Sequence, residues 1–169
     1  MHIWTLDKWK DNYELCFQNH RRGLCCRFDN QVDLEVKKFC KKFCRWLRKN
    51  YFFPQKITIY IKADVYVKAK DGDQVSAIFY EPGGYQETSY IKIATGDYQK
   101  IRMRYGSINA IGGILGSIAH ELTHYFQWIN SIHLTNIGYE RQATVYSQYV
   151  VHEYFEEMSY NVDIILDKE

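Results

Sequence analysis

From Asp29 onward apolar residues recur at three- and four-residue steps. Val32, Val36, Phe39, Cys40, Phe43, Trp46, Leu47 and Tyr51 share one side of a predicted helix. Lys37, Lys38, Lys41, Lys42, Arg45, Arg48 and Lys49 take the other side, and Pro54 closes the segment. The period then switches to two. Ile57, Ile59 and Ile61 alternate with Thr58, Tyr60 and Lys62, and Val65, Val67 and Ala69 continue the alternation. Asp71-Gly72-Asp73 marks a turn before a strand over 75–80, and Pro82-Gly83-Gly84 marks another before a strand over 89–94. Helical periodicity returns over 110–130, where Ile114, Ile118, Leu122, Phe126 and Ile129 form the core edge. It returns again over 138–158, after a loop at 131–137. Gly112, Gly113 and Gly116 predict that the first of these helices either starts late or lies very close to the sheet. The first thirty residues show no clear period. The sum predicts an α+β fold: an N-terminal helix, a small, mostly antiparallel sheet of three or four strands, then two helices.

Length and composition narrow this to one domain over 1–169. The chain has 169 residues, 46% hydrophobic and 25% charged, which is a globular mixture able to build a core. Aromatics reach 17%, so much of that core is expected to be aromatic. Twenty-two basic and twenty acidic residues leave a formal +2, and the total gives no reason to expect a nucleic-acid or membrane partner. No apolar run is long enough to span a bilayer, and the start lacks a secretory pattern. Five cysteines, all within the first 44 residues, are an odd set that argues for a reducing compartment, hence a cytoplasmic protein.

The chemistry is concentrated in His120-Glu121-Leu122-Thr123-His124. Residues i and i+4 stack on one helix face, so His120 and His124 can bind one tetrahedral zinc ion. Glu121 projects beside the metal, where it can act as general base toward a metal-activated water. A third ligand is needed. If the two C-terminal helices form an antiparallel hairpin, it should lie about as far past the loop as His124 lies before it, roughly 9 Å at 1.5 Å per residue. Glu140 is the best match, while Glu153, Glu156 and Glu157 are roughly 20 Å too far along. His133, in the loop, is the rival. Ala143 and Thr144 are small and share Glu140's face, and Thr144 is placed to hydrogen-bond a ligand histidine.

His120-Glu121-Leu122-Thr123-His124, with Glu140-Arg141-Gln142-Ala143 downstream, resembles the gluzincins, the HExxH…E class of zinc metallopeptidases. The order of elements resembles their minimal single-domain members, the minigluzincins. A metzincin would need glycine and histidine where this chain has Gln127 and Asn130. The resemblance implies a zincin-like fold, one Zn2+ per chain held by His120, His124 and Glu140, and Glu121 as general base in peptide-bond hydrolysis. It also implies that the strand carrying Tyr90, Ile91, Lys92 and Ile93 is the sheet edge that pairs with a peptide or protein substrate. The chain departs from thermolysin-like members at Thr144, where they carry an acid, and in its short spacer between His124 and Glu140.

Tyr146, Tyr149, His152 and Tyr154 are candidates to stabilise the oxyanion of such a reaction. Cys25-Cys26 and Cys40-x3-Cys44 read as core thiols, with a second metal site or redox role as alternatives. The basic face over 37–49 reads as solvated and balanced by the acidic C-terminal segment. The alternative function is a catalytically silent, zinc-stabilised binding module using that face or the edge strand. Sequence leaves the oligomeric state open.

Overall fold

The computed structural model describes residues 2–12, 22–83 and 87–166. Cys16 and Gly84 lie outside the described residues.

Helix α1 spans Leu34–Asn50, with Asp33 as its N-cap accepting from the Glu35 amide at 2.8 Å. Its apolar stripe buries Val36, Cys40, Phe43, Cys44, Trp46 and Leu47. The chain then leaves in extended conformation at Tyr51, ahead of Pro54.

Among the described residues, six strands follow the order β1 (Leu24–Phe28), β2 (Ile57–Lys62), β3 (Val67–Lys68), β4 (Gln74–Val75), β5 (Ala77–Tyr80) and β6 (Ser89–Ala94). They form a four-stranded sheet in the order β1-β2-β6-β5 and a small β3-β4 pair. The α+β class holds, but the sheet is mixed rather than mostly antiparallel. β1 and β2 run parallel, β2 and β6 run parallel, and only β5 opposes β6. The physical reason is β1, which the irregular pattern of the first thirty residues conceals. With it, α1 becomes the crossover that a parallel pair requires. Val65 is exposed and outside any strand, and Ser76 interrupts the expected 75–80 strand.

Three helices complete the described residues: α2 (Tyr98–Tyr105), α3 (Ser107–Ile129) and α4 (Asn136–Leu166). α2 is unanticipated, because Lys100, Arg102 and Arg104 leave it no apolar stripe. Gly106, at φ 87°, makes the turn from α2 into α3, a conformation that favours glycine. The glycines of α3 follow neither expectation. The helix starts earlier than residue 110, and a Cβ at Gly112, Gly113 or Gly116 would meet nothing within 4 Å.

The core lies between one face of the sheet and α1 and α3. Ile57, Ile59, Ile61, Ile91 and Ile93 face it and are buried. It is aromatic, as expected. Trp4 stacks on Phe126 at 5.0 Å, and Tyr154 packs on Phe43 at 5.0 Å and Trp46 at 5.5 Å. Tyr125 is fully buried, and its hydroxyl donates to the Gln55 carbonyl at 2.7 Å, locking α3 to the entry of β2. Trp4 donates from Nε1 to Thr123 Oγ1 at 2.9 Å, which seats the N-terminal segment on α3. Among the described residues, no helix is long and apolar enough to cross a membrane.

Candidate metal centre

α3 and α4 form the antiparallel hairpin that the choice of Glu140 requires, and it carries three ligand-bearing side chains to one point. His120 Nε2 lies 3.2 Å from Glu140 Oε2, His124 Nε2 lies 3.3 Å from Glu140 Oε1, and the two Nε2 atoms are 3.2 Å apart. The imidazole planes cross at 78°, so the rings converge rather than stack. Among the described residues this is the one group of His, Cys, Asp or Glu side chains close enough to share an ion. His133 lines the same cleft but is not part of the group.

The donor set fits a metal. Ligand atoms at about 2.0–2.1 Å from a tetrahedral ion sit about 3.3 Å from one another. The two Nε2 atoms are 3.2 Å apart, each lies 3.2–3.3 Å from a different Glu140 oxygen, and one atom from each residue falls within 4.8 Å of the others. Two imidazoles and one carboxylate also leave a position open, as catalytic sites do and closed structural sites do not. The set by itself does not specify zinc.

Gln127 holds the geometry in place, and the sequence pattern alone gave it no role. It is buried one turn beyond His124, and its Oε1 lies 2.7 Å from His124 Nδ1. Its amide donates to the Tyr139 carbonyl at 3.1 Å and to Gln142 Oε1 at 2.9 Å. With the amide oxygen accepting from Nδ1–H, the lone pair of His124 is left on Nε2, facing His120 and Glu140. The signal available was spacing, since 120, 124 and 127 share a helix face. Thr144, expected in this role, is exposed on α4, and its carbonyl accepts from Ser147.

Glu121 is nearly buried at 8% exposure, where α3 meets β5. Burial pushes its carboxyl up to about 7, the Phe79 backbone N–H facing it pulls the other way, and the Glu140 charge adds a smaller upward push.

These side chains open into a cleft of about 1050 Å3, walled on one side by Ala77, Ile78 and Phe79 and on the other by Trp128, Ile132 and Tyr139. The wall strand corrects one expectation. Tyr90, Ile91, Lys92 and Ile93 belong to β6, which is interior, paired with β2 on one side and β5 on the other. The edge at the cleft is β5. The Ala94 amide donates to the Ser76 carbonyl at 2.8 Å, so by antiparallel alternation Ile78 and Tyr80 turn their backbone groups to β6. Ala77 and Phe79 therefore present theirs outward.

None of the four proposed oxyanion donors lines the cleft. Tyr154 is in the core, Tyr146 packs on His2 at 4.5 Å, His152 pairs with Glu156 at 3.2 Å, and Tyr149 is exposed. Besides the two ligand histidines, the cleft's hydroxyl and imidazole groups are Ser131, Tyr139 and His133, and the Tyr139 hydroxyl donates to the Ile132 carbonyl at 2.6 Å. None of residues 2–12 lines it either.

The cysteines behave as thiols. Cys40 and Cys44 are buried, Cys25 and Cys26 half-buried, and none of the four is in a disulfide. A hydrogen bond with Cys44, together with burial, drives the Cys26 thiol pKa far up, which disfavours the thiolate that a metal site needs. On α1, Lys49 reaches Glu157 at 3.7 Å and is the one residue of the basic face in an ion pair among the described residues.

Compared with known proteins, the chain matches no family model, no curated protein and no solved structure.

Proposed function

We propose that this protein is a zinc-dependent peptidase that hydrolyses peptide bonds, with His120, His124 and Glu140 as metal ligands and Glu121 as general base. The observation that carries the reading is the convergence of those three ligand atoms beside a buried carboxylate and beneath an open strand edge. A zinc ion held there would polarise a carbonyl and lower the pKa of a bound water. Glu121 is placed to take the proton that such a water gives up and to return it to the leaving amine. Ala77 N–H and C=O and the Phe79 C=O offer main-chain hydrogen bonds to an extended peptide, which fixes the scissile bond without regard to sequence. The Phe79 N–H faces Glu121 and ties the base to the strand that would hold the substrate. Trp128 and Ile132 make one wall apolar, favouring a substrate with an apolar side chain next to the cleaved bond.

The alternative in which the metal only staples α3 to α4 is less well supported. Gln127 already bridges those helices through Tyr139 and Gln142, and a staple has no use for Glu121. Incubation of zinc-loaded protein with unfolded casein tests the peptidase reading. Wild type should cleave it and Glu121→Gln should lose at least about 100-fold in rate while keeping its metal. Equal cleavage by both would overturn the mechanism.

A further inference from the structure

The near-neutral total charge hides a strong segregation. None of the six strands contains an aspartate or glutamate, yet they carry Arg27, Lys62, Lys68 and Lys92. Arg27, Lys62 and Lys92 belong to the alternate positions of the main sheet, which point away from the core between α1 and α3. Lys62 is neutralised by Asp29 at 2.9 Å. Arg27 and Lys92 have no ion-pair partner among the described residues.

Strand register sets those cations among aromatic rings. Arg27, Tyr60, Lys92 and Ile78 are neighbours in one row across the four strands, and Cys25, Thr58, Tyr90 and Tyr80 form the next. Tyr80 and Tyr90 stack at 4.4 Å and 17°, and Tyr60 stands edge-on to Tyr90 at 6.1 Å. Lys92 Nζ sits 5.4 Å from the Tyr80 ring centroid and 5.9 Å from that of Tyr90. Tyr60 is exposed. The basic residues of α1 flank β1 from the other side of the sheet: Arg48 donates to the Leu24 carbonyl at 3.1 Å, and Lys41 lies over Phe28, a core-side position in register with Ile61, at 5.6 Å. Glu153, Glu156 and Glu157 are on α4 instead.

We propose that this outer sheet face binds single-stranded nucleic acid, with bases stacking on Tyr60 and the Tyr80–Tyr90 pair and phosphates meeting Arg27 and Lys92. Aromatic faces beside cations suit unstacked bases on a charged backbone. A duplex would bring phosphates but no free base faces, and a membrane surface would call for a larger apolar set than Ile78 among tyrosines and cations. The site is on the opposite side of the sheet from α3 and is independent of the peptidase reading.

The test is fluorescence anisotropy of labelled dT15 and U15 with the full chain at 50 and 200 mM salt. Wild type should bind at least one of them. Arg27→Gln with Lys92→Gln should weaken binding about tenfold or more and lower the log–log salt slope by about 1.4, two phosphate contacts' worth. Tyr60→Ala should weaken it at least about fivefold at an unchanged slope, and Tyr60→Phe should bind as wild type does. Metal content should not change in any of them. No binding at 50 mM salt overturns the proposal. So does equal affinity for a heparin fragment together with indifference to Tyr60→Ala, or loss of binding only in Lys38→Gln with Lys42→Gln on α1. Should a sheet variant fail to fold, ultraviolet crosslinking of U15 to wild type decides. Adducts at Tyr60, Tyr80 or Tyr90 support the site, and adducts confined to α1 contradict it.

Discussion

Gln127 Oε1 lies 2.7 Å from His124 Nδ1, and the same side chain spans to α4 through the Tyr139 carbonyl and Gln142. One buried amide therefore fixes the tautomer and ring orientation of a metal ligand while setting the distance between the two helices that carry the ligands. Removing such a partner typically costs 10–100-fold in metal affinity. Gln127→Met, close to it in volume, should lower zinc affinity by about that factor while far-UV circular dichroism stays that of the wild type. Zinc competition against a chromophoric chelator measures it, and an unchanged affinity would remove Gln127 from the site.

The position of β5 makes a second prediction, which separates it from β6. Ala77→Pro deletes an N–H that points outward, so the fold should survive, as proline does on edge strands. Casein cleavage should fall about tenfold or more with zinc content unchanged. Ile78→Pro deletes an N–H that bonds to β6 and should destabilise the whole sheet by about 3 kcal/mol or more. If Ala77→Pro cleaves normally, the substrate does not pair with β5.

Glu35 predicts a pH dependence of stability. Its carboxylate accepts from Ser107 Oγ at 2.6 Å and Tyr98 at 2.6 Å and lies 3.7 Å from Arg102, joining α1 to α2 and α3. The Ser107 and Tyr98 hydrogen bonds hold its pKa below the usual 4.5. A depressed acid stabilises the fold fully above its unfolded pKa, and that contribution is lost as pH falls through the folded value. The gap in urea midpoint between wild type and Glu35→Gln should therefore be widest near pH 7 and shrink below pH ~4.5. A gap that stays constant with pH would mean that Glu35 acts through shape and not charge.

How much of this was legible in the sequence depends on how local each signal is. His120, Glu121 and His124 are fixed by one helix face, and Glu140 by a short hairpin, so spacing alone could bring them together. α1 and β2 were legible because their periods are clean. β1 was not, since Leu24-Cys25-Cys26-Arg27-Phe28 alternates weakly, and without it α1 does not look like a parallel crossover. That omission propagated. Strand order is a non-local property, so β6 could be taken for the edge although it pairs on both sides. Gln127 escaped because a buried glutamine has no motif, and its role appears only once Tyr139 and Gln142 are beside it. The glycines of α3 predict a late helix start or close packing on the sheet, and neither is found. The space around them is open, and nothing in the structure explains why glycine is used there.

The proposed chemistry at His120, His124 and Glu140 requires a bound metal. Plasma mass spectrometry of untagged protein, purified without chelators and then equilibrated with zinc, measures it directly. The account predicts about one zinc per wild-type chain, with marked loss in His124→Ala and Glu140→Ala and retention in Glu121→Gln. No bound zinc in the wild type after reconstitution, or full retention in both ligand variants, would contradict it.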